Sequence, residues 1–342
     1  MAKLTLEDLF ERNVPLAEHC SYEIGGIADF FALPENVEEL QILLEACQTS
    51  GVPYFLFGYG SNLLFPDNPQ RGKAFISLKK MIDCQWDSTQ KDQLFLSAGV
   101  PLSFLAIIGL LCNHSKLNFT HLLPGCIGSG IYINAKCYDD QMSGVIERVH
   151  YIDPFEKSPT IVTIDIESCE FAYKQSIFQG KPWIIVGADF KVSNMTESNV
   201  HRIRDLLTKY RESDSITKLY DFYQHFKMLF EFVAYEKQAS AVNFIKIDED
   251  RNAKKHFSFP SCGSVFKNNY GFGTPMGVIV DQLELKGKAY GGAMISPYHG
   301  NFIINYKDAK SEDVKYLIQL VQEKVHAAHG FVPEPEVVIV KS

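Results

Sequence analysis

A chain of 342 residues with 46% hydrophobic and 22% charged content has the composition of a globular protein, too long for one comfortable core and suited to two or three domains. Its formal net charge of -8 argues against a general nucleic-acid binder, which needs clustered Lys and Arg, but leaves room for a local basic pocket. The eight cysteines are scattered without a CxxC pair, the amphipathic N-terminus is not a signal peptide, and the longest apolar stretch, Pro101 to Cys112, is too short to span a bilayer. A cytoplasmic protein with reduced thiols and no membrane or nucleic-acid partner is therefore expected.

Hydrophobic period gives the elements in order. Ala28 to Leu33 reads as a strand, Val37 to Thr49 as a helix stopped by Gly51, and Tyr54 to Gly58 as a second strand. Residues ~81 to ~195 alternate strand and turn, with strands at Leu94 to Ala98, Val145 to Ile152, Thr160 to Ile166 and Trp183 to Val192. One apolar helix, Ser103 to Cys112, interrupts them. Asn199 to Tyr210 and Ile216 to Ala239 read as polar helices, the second with a stripe of Tyr220, Tyr223, Phe226, Phe230 and Val233 that suits a core. A strand at Asn301 to Asn305, a helix from Ser311 to His329 stopped by Gly330, and a strand from Glu336 to Val340 close the chain.

Four segments put glycine and polar residues where a plain core would not. Gly58, Tyr59, Gly60, Ser61, Asn62 and Leu63 directly follow a strand; they form either a tight turn or a backbone nest for phosphate oxygens. Pro124, Gly125, Cys126, Gly128, Ser129 and Gly130, followed by Asn134 and Ala135, make a second backbone-rich surface, and two such loops favour a dinucleotide. Ser264 sits in a Gly-Ser turn beside Lys267 and Asn268, a hydroxyl near two groups able to hold phosphate or carboxylate. Glu334 and Glu336 flank Pro335 near the C-terminus, where an acidic pair is ordinarily solvated surface. His326 and His329 lie in a last helical turn, where cations suit the dipole, so no metal site is expected.

Taken in order, these segments resemble the UDP-N-acetylenolpyruvoylglucosamine reductase family over nearly the whole chain. Ser21 to Ala28 looks like its NTFxxGGxA segment, Gly58 to Leu64 its GxGSNLL loop, and Leu123 to Ala135 its GIPGxxGGAxxxNA loop. Phe171 to Phe178 resembles YRxSxF, Gly263 to Asn268 reproduces GSxFKN, Leu285 to Asn305 follows LKGxxxGGAxxSxxHxNFxxN, and Pro335 to Val337 stands for PEV.

The resemblance implies an α+β chain: a two-subdomain FAD-binding fold of the vanillyl-alcohol-oxidase type plus a substrate domain. FAD-binding subdomains at 1–80 and 81–195, a substrate domain at 196–330, and a strand at 331–342 returning to the first subdomain follow from it. It implies FAD and NADPH as cofactors, the two glycine loops as the flavin site, and UDP-N-acetylglucosamine enolpyruvate as substrate. Ser264 becomes the proton donor, Lys174 and Glu336 the enolate-stabilising pair, and Tyr173, Lys267 and Asn268 substrate contacts. The expected assembly is a monomer or weak homo-oligomer.

Three departures stand out. Lys174 replaces the family's Arg and lacks its planar fork. Gly128-Ser129-Gly130 replaces GGA. Residues ~212 to ~255 look like an insertion that either caps the substrate cleft or buries an oligomer interface. The long tyrosine-bearing loop of one subfamily is not evident near Lys286 to Ser296, which indicates the shorter substrate-domain type. Alternatives are another flavoenzyme of the same fold acting on a small alcohol or lactone, with Cys126 or Cys137 as a flavin tether, and a binding protein that has lost turnover.

Overall fold

The computed structural model describes residues 5–156, 160–212, 218–237 and 242–342. The first unit is a small parallel sheet. Strand β1 (Phe30–Ala32), helix α1 (Val37–Ser50) and strand β2 (Tyr54–Phe57) are followed by β3 (Leu63–Leu64) and β4 (Ala74–Ser77). Strand β4 runs parallel between β1 and β2. Helix α1 starts where the Asn36 side chain accepts the Glu39 N–H (2.8 Å) and stops at left-handed Gly51, so both ends are written in the sequence. It buries Leu40, Leu43, Leu44 and Cys47.

The second unit is antiparallel. Strands β5 (Cys84–Gln85) and β6 (Gln93–Ser97) precede helix α2 (Ser103–Cys112) and the short helix α3 (Ile127–Tyr132). Strands β7 (Ile146–Ile152), β8 (Val162–Asp165) and β9 (Ile184–Lys191) complete a sheet of order β8-β7-β9-β6-β5. Helix α2 is apolar all round and is buried accordingly.

Helices α4 (Glu197–Glu212), α5 (Leu219–Lys237) and α6 (Val242–Ala253) come next. The sequence reading put them with the substrate domain, yet their apolar side chains share one core with residues 82–195. Phe226 of α5 meets Phe104 of α2 edge-on at 5.5 Å, and Tyr210 of α4 meets the same ring at 5.6 Å. The reason is that α2 is apolar on every face and its outer side needs a cover. Tyr223, Phe226, Phe230 and Val233 of the expected stripe are buried in that shared core, whereas Tyr220 is 59% exposed. Positions 216, 217, 238 and 239 of the expected helix lie outside the described residues.

The third unit holds β10 (Ser261–Ser264), α7 (Met276–Gln282), β11 (Ala289–Tyr290), β12 (Ala293–Ile295), β13 (Phe302–Asn305) and α8 (Ser311–His329). Its sheet has the order β10-β13-β12-β11. The last strand, β14 (Val338–Ile339), crosses back to pair in parallel with β3 of the first unit. Accordingly Val14 to Phe31, Phe57, Leu64, Phe65 and Phe75 form one continuous core with the third unit, while α1 packs in a separate cluster with Ala98, Ile152, Ile184 and Val186.

Candidate active site

The three units meet around a cavity of about 690 Å³, within the usual range for small-molecule sites. Both glycine loops line it, and they pack on each other. A Cβ placed on Gly58 would run into the Cys126 sulfur, and one on Gly125 would come within 3.2 Å of the Ser61 hydroxyl. Gly60 has φ +65°, and a Cβ there would stand 2.5 Å from the His19 carbonyl oxygen, so only glycine fits.

The loops spend their backbone differently. The N–H groups of Gly60, Ser61 and Asn62 donate to nothing among the described residues. In the second loop, Ile127 N–H donates to Val100 O (2.9 Å), Gly128 N–H to Ala98 O (2.9 Å) and Gly130 N–H to Cys126 O (2.8 Å). Cys126 N–H donates to the Ser129 hydroxyl (3.2 Å). The first loop offers anion donors and the second offers a strapped-down surface.

Asn134 and Gly125, both expected at the cofactor, are not among the cavity-lining residues. Asn134 is fully buried; its amide donates to Ala172 O (3.0 Å) and its carbonyl accepts from Ser143 N–H (3.0 Å). It braces the next functional segment instead. Ala172 and Gln175 pair across a tight turn that places Lys174 at φ 56°, with its carbonyl held by the Gln179 side chain (3.1 Å).

Lys174, Ser264 and Glu336, spread over the sequence, all line the cavity. The Lys174 ammonium donates to the Glu336 carboxylate at 2.5 Å, with side chains 12% and 15% exposed. Glu336 is held from two further directions: its N–H donates to Val265 O (2.7 Å), and its carbonyl accepts from the Asn62 amide (3.0 Å). Asn301 grips the strand below by bonding Phe266 N–H (3.0 Å) and Phe266 O (2.8 Å) with one side chain. The Ser264 hydroxyl has no hydrogen-bond partner among the described residues.

Tyr173 accepts from Asn268 N–H (3.3 Å) and meets Tyr270 edge-on; burial pushes its hydroxyl up to about 12, so it stays a neutral phenol. The Asn268 carbonyl accepts from Met276 N–H (3.0 Å) at the start of α7, which leaves its amide for a ligand. Lys267 does not line the cavity: its ammonium pairs with Glu334 at 2.5 Å outside it. Alternation along an extended segment turns successive side chains to opposite sides, and Asn268 and Phe266 take the inner one.

Besides Lys174, the cavity's cations come from residues that the sequence reading passed over. Arg251 and Lys254 at the end of α6, and Lys136, line it. Arg251 is 6% exposed, donates to the Cys137 sulfur (3.3 Å) and has a buried Nε without a partner among the described residues. His256 beside them also has a buried, unpartnered Nε2, and burial followed by the Arg251 charge pushes its pKa down to about 3. A buried guanidinium without a carboxylate partner is costly, and an anionic ligand would relieve it. The one available signal was a pair of cations at i,i+3 just upstream of a glycine-rich segment.

This arrangement, with two α/β units around facing glycine loops, defines an FAD-binding flavoprotein, and residues 28–154 match the FAD binding domain family. Residues 254–340 match the family model described as UDP-N-acetylenolpyruvoylglucosamine reductase, C-terminal domain. The chain is 32% identical to the UDP-N-acetylenolpyruvoylglucosamine reductase of Treponema denticola, over 97% of this chain and 94% of that one. It is 30% identical to the reductase of Borreliella burgdorferi, over 95% and 92%. It superposes on the crystal structure of the Thermus caldophilus reductase with a TM-score of 0.62 at 22% identity, over 97% and 99% of the two chains. The chain belongs to the UDP-N-acetylenolpyruvoylglucosamine reductase family.

Proposed function

We propose that the protein reduces UDP-N-acetylglucosamine enolpyruvate to UDP-N-acetylmuramate with NADPH, in the cytoplasm, as a step of peptidoglycan precursor synthesis. The observation that carries this reading is the convergence of Lys174, Ser264 and Glu336 on one cavity floored by the two glycine loops. The loops fit FAD: the first leaves Gly60, Ser61 and Asn62 N–H groups free for a pyrophosphate, and the second gives a close-packed backbone face for a flat ring. When bound, FAD would supply hydride-transfer chemistry between NADPH and the vinyl carbon of the substrate.

The protein's part is proton delivery and charge. Ser264 donates a proton to the substrate carbon that becomes electron-rich next to the carboxylate. A serine hydroxyl is a weak acid, so its neighbours must stabilise the alkoxide. The Lys174 ammonium gives one hydrogen to Glu336 and keeps others for the enolate oxygen, which suits an oxyanion role. Arg251, Lys254 and Lys136 meet the substrate's diphosphate, and Tyr173 and the Asn268 amide bind the nucleotide side.

A stopped-flow experiment tests the reading. Anaerobic NADPH should bleach the flavin of the purified protein, and UDP-N-acetylglucosamine enolpyruvate should then restore the oxidised-flavin band rapidly. Bleaching without restoration would mean a different electron acceptor and would favour an alcohol- or lactone-oxidising flavoenzyme.

A further inference from the structure

Asn62 belongs by sequence to the cofactor loop, and its side chain would be expected to face the cofactor. The structure spends it elsewhere. The side-chain amide donates to the Glu336 carbonyl (3.0 Å), while the Asn62 backbone carbonyl accepts from Val338 N–H (3.0 Å). The next rung is Val340 N–H to Leu64 O (3.0 Å), so the amide extends the β3–β14 ladder by one hydrogen bond. A side chain takes the place that a backbone N–H would fill, and the backbone N–H groups of the loop stay free.

Resting on the reductase reading, we propose that Asn62 is a positioning residue for Glu336, setting the aim of the Lys174–Glu336 pair from the cofactor loop. The tail around Glu336 has little regular structure: β14 is only Val338–Ile339, and the preceding residues make isolated bonds to the Ser264 segment. Three restraints fix Glu336, each from a different unit: Val265 O on its N–H, Asn62 on its carbonyl, and Lys174 on its carboxylate. Removing the middle one leaves the peptide between Glu336 and Val337 held only by the long bond from Val337 N–H to Val265 O (3.3 Å), which loosens it and lets the carboxylate shift off Lys174. The loop's free N–H groups are untouched by that change, so flavin binding and positioning are separable.

The test uses the flavin-loaded protein and its two half-reactions in single turnover. Asn62→Ala should keep its flavin and an unchanged flavin spectrum, and be reduced by NADPH within about twofold of the parent rate. Its reoxidation by UDP-N-acetylglucosamine enolpyruvate should slow about tenfold, the loss of one well-placed hydrogen bond expressed on the rate. Asn62→Leu, of similar size but without a donor, should behave alike. In a Glu336→Gln background, followed over hours, Asn62→Ala should add less than twofold, because both changes act through one group. Equal slowing of both half-reactions, loss of flavin, or a full tenfold effect on top of Glu336→Gln would overturn the proposal. If the parent protein itself is not reoxidised by this substrate, the reductase reading falls first and takes the positioning role with it.

Discussion

The two glycine-rich loops look alike as strings and differ as objects. Both put glycines beside Ser61 or Ser129 within a few positions, and both line the cavity. In the first, glycine serves backbone exposure: Gly60 adopts a left-handed conformation hard against His19, and three N–H groups remain unpaired among the described residues. In the second, glycine serves contact: Gly128 lies against Ala98 and Gly130 against Leu102, while their N–H groups close onto Ala98 and Cys126 carbonyls. Glycine count therefore says that backbone comes close to something; only the hydrogen-bond ledger says whether that is ligand or protein.

The sharpest way to break the comparison is Gly60→Ala. An alanine at φ +65° costs about 1–2 kcal/mol in backbone strain alone. Its Cβ would also stand 2.5 Å from the His19 carbonyl, which is backbone and cannot step aside. FAD affinity should fall at least ~10²-fold, the effect of some 3 kcal/mol, measured by fluorescence titration of the flavin-stripped protein. An affinity within threefold of the parent would mean that the first loop is not the main cofactor holder.

Asn134 sharpens the other side. It belongs to the second loop, yet both ends of its amide are bonded to backbone, and one of those bonds holds the turn that carries Lys174. Asn134→Ala leaves Ala172 O and Ser143 N–H short of partners and should cost about 2–3 kcal/mol of stability in urea unfolding. A cofactor ligand would show the opposite pattern: weaker FAD binding with an unchanged unfolding midpoint in its absence. Gly128→Ala is the milder companion. The added Cβ would sit 3.0 Å from the Ala98 Cβ, so overpacking should cost about 1–2 kcal/mol while FAD affinity stays within about threefold. If Gly128→Ala weakened FAD as much as Gly60→Ala, the distinction between the loops would collapse.

The sequence carried most of the regular structure because its signals are local. Ser311–His329 ends where Gly330 demands it, Ser103–Cys112 is apolar throughout, and the near-continuous apolar run of Ile184–Lys191 marks a sheet interior. It also carried Lys174, Ser264 and Glu336 as candidates, since they sit in ordered motifs that the fold brings to one cavity. What it did not carry are choices made by surroundings. Lys267 and Asn268 are adjacent, and which of them faces the cavity depends on Glu334 standing opposite the first. Arg251 and Lys254 lie in the charged run Asp248 to Lys255, which reads as solvated surface until α6 is seen to end at the cavity wall. The segment from ~212 to ~255 looked like an insertion because nothing local says that α2 needs a cover on its far side.

Each loop also rests on a neutral histidine, His19 half-buried and His121 buried, and acid should probe both. The His19 ring stacks on Phe31 and accepts from the Lys79 ammonium at 3.0 Å, and burial followed by that charge pushes its pKa down to about 4. His121, just ahead of the second loop, packs against Phe230 and Phe244 and is pushed down to about 3 by burial, with the Arg251 charge adding to it. Both values lie below the ~6.5 of a histidine in the unfolded chain, so between those limits only the unfolded state holds the proton. Stability should thus be full above pH ~6.5 and fall as pH drops toward 4, by about 1.4 kcal/mol per pH unit for each such group. His121→Phe keeps a ring against Phe230 and Phe244 and removes the titration. Between pH 6.5 and 5.5 the flavin-loaded variant should lose about 1 kcal/mol less than the parent in urea unfolding. Equal losses would mean that His121 is protonated in the folded protein as readily as in the unfolded chain, and that the wall behind the second loop admits water.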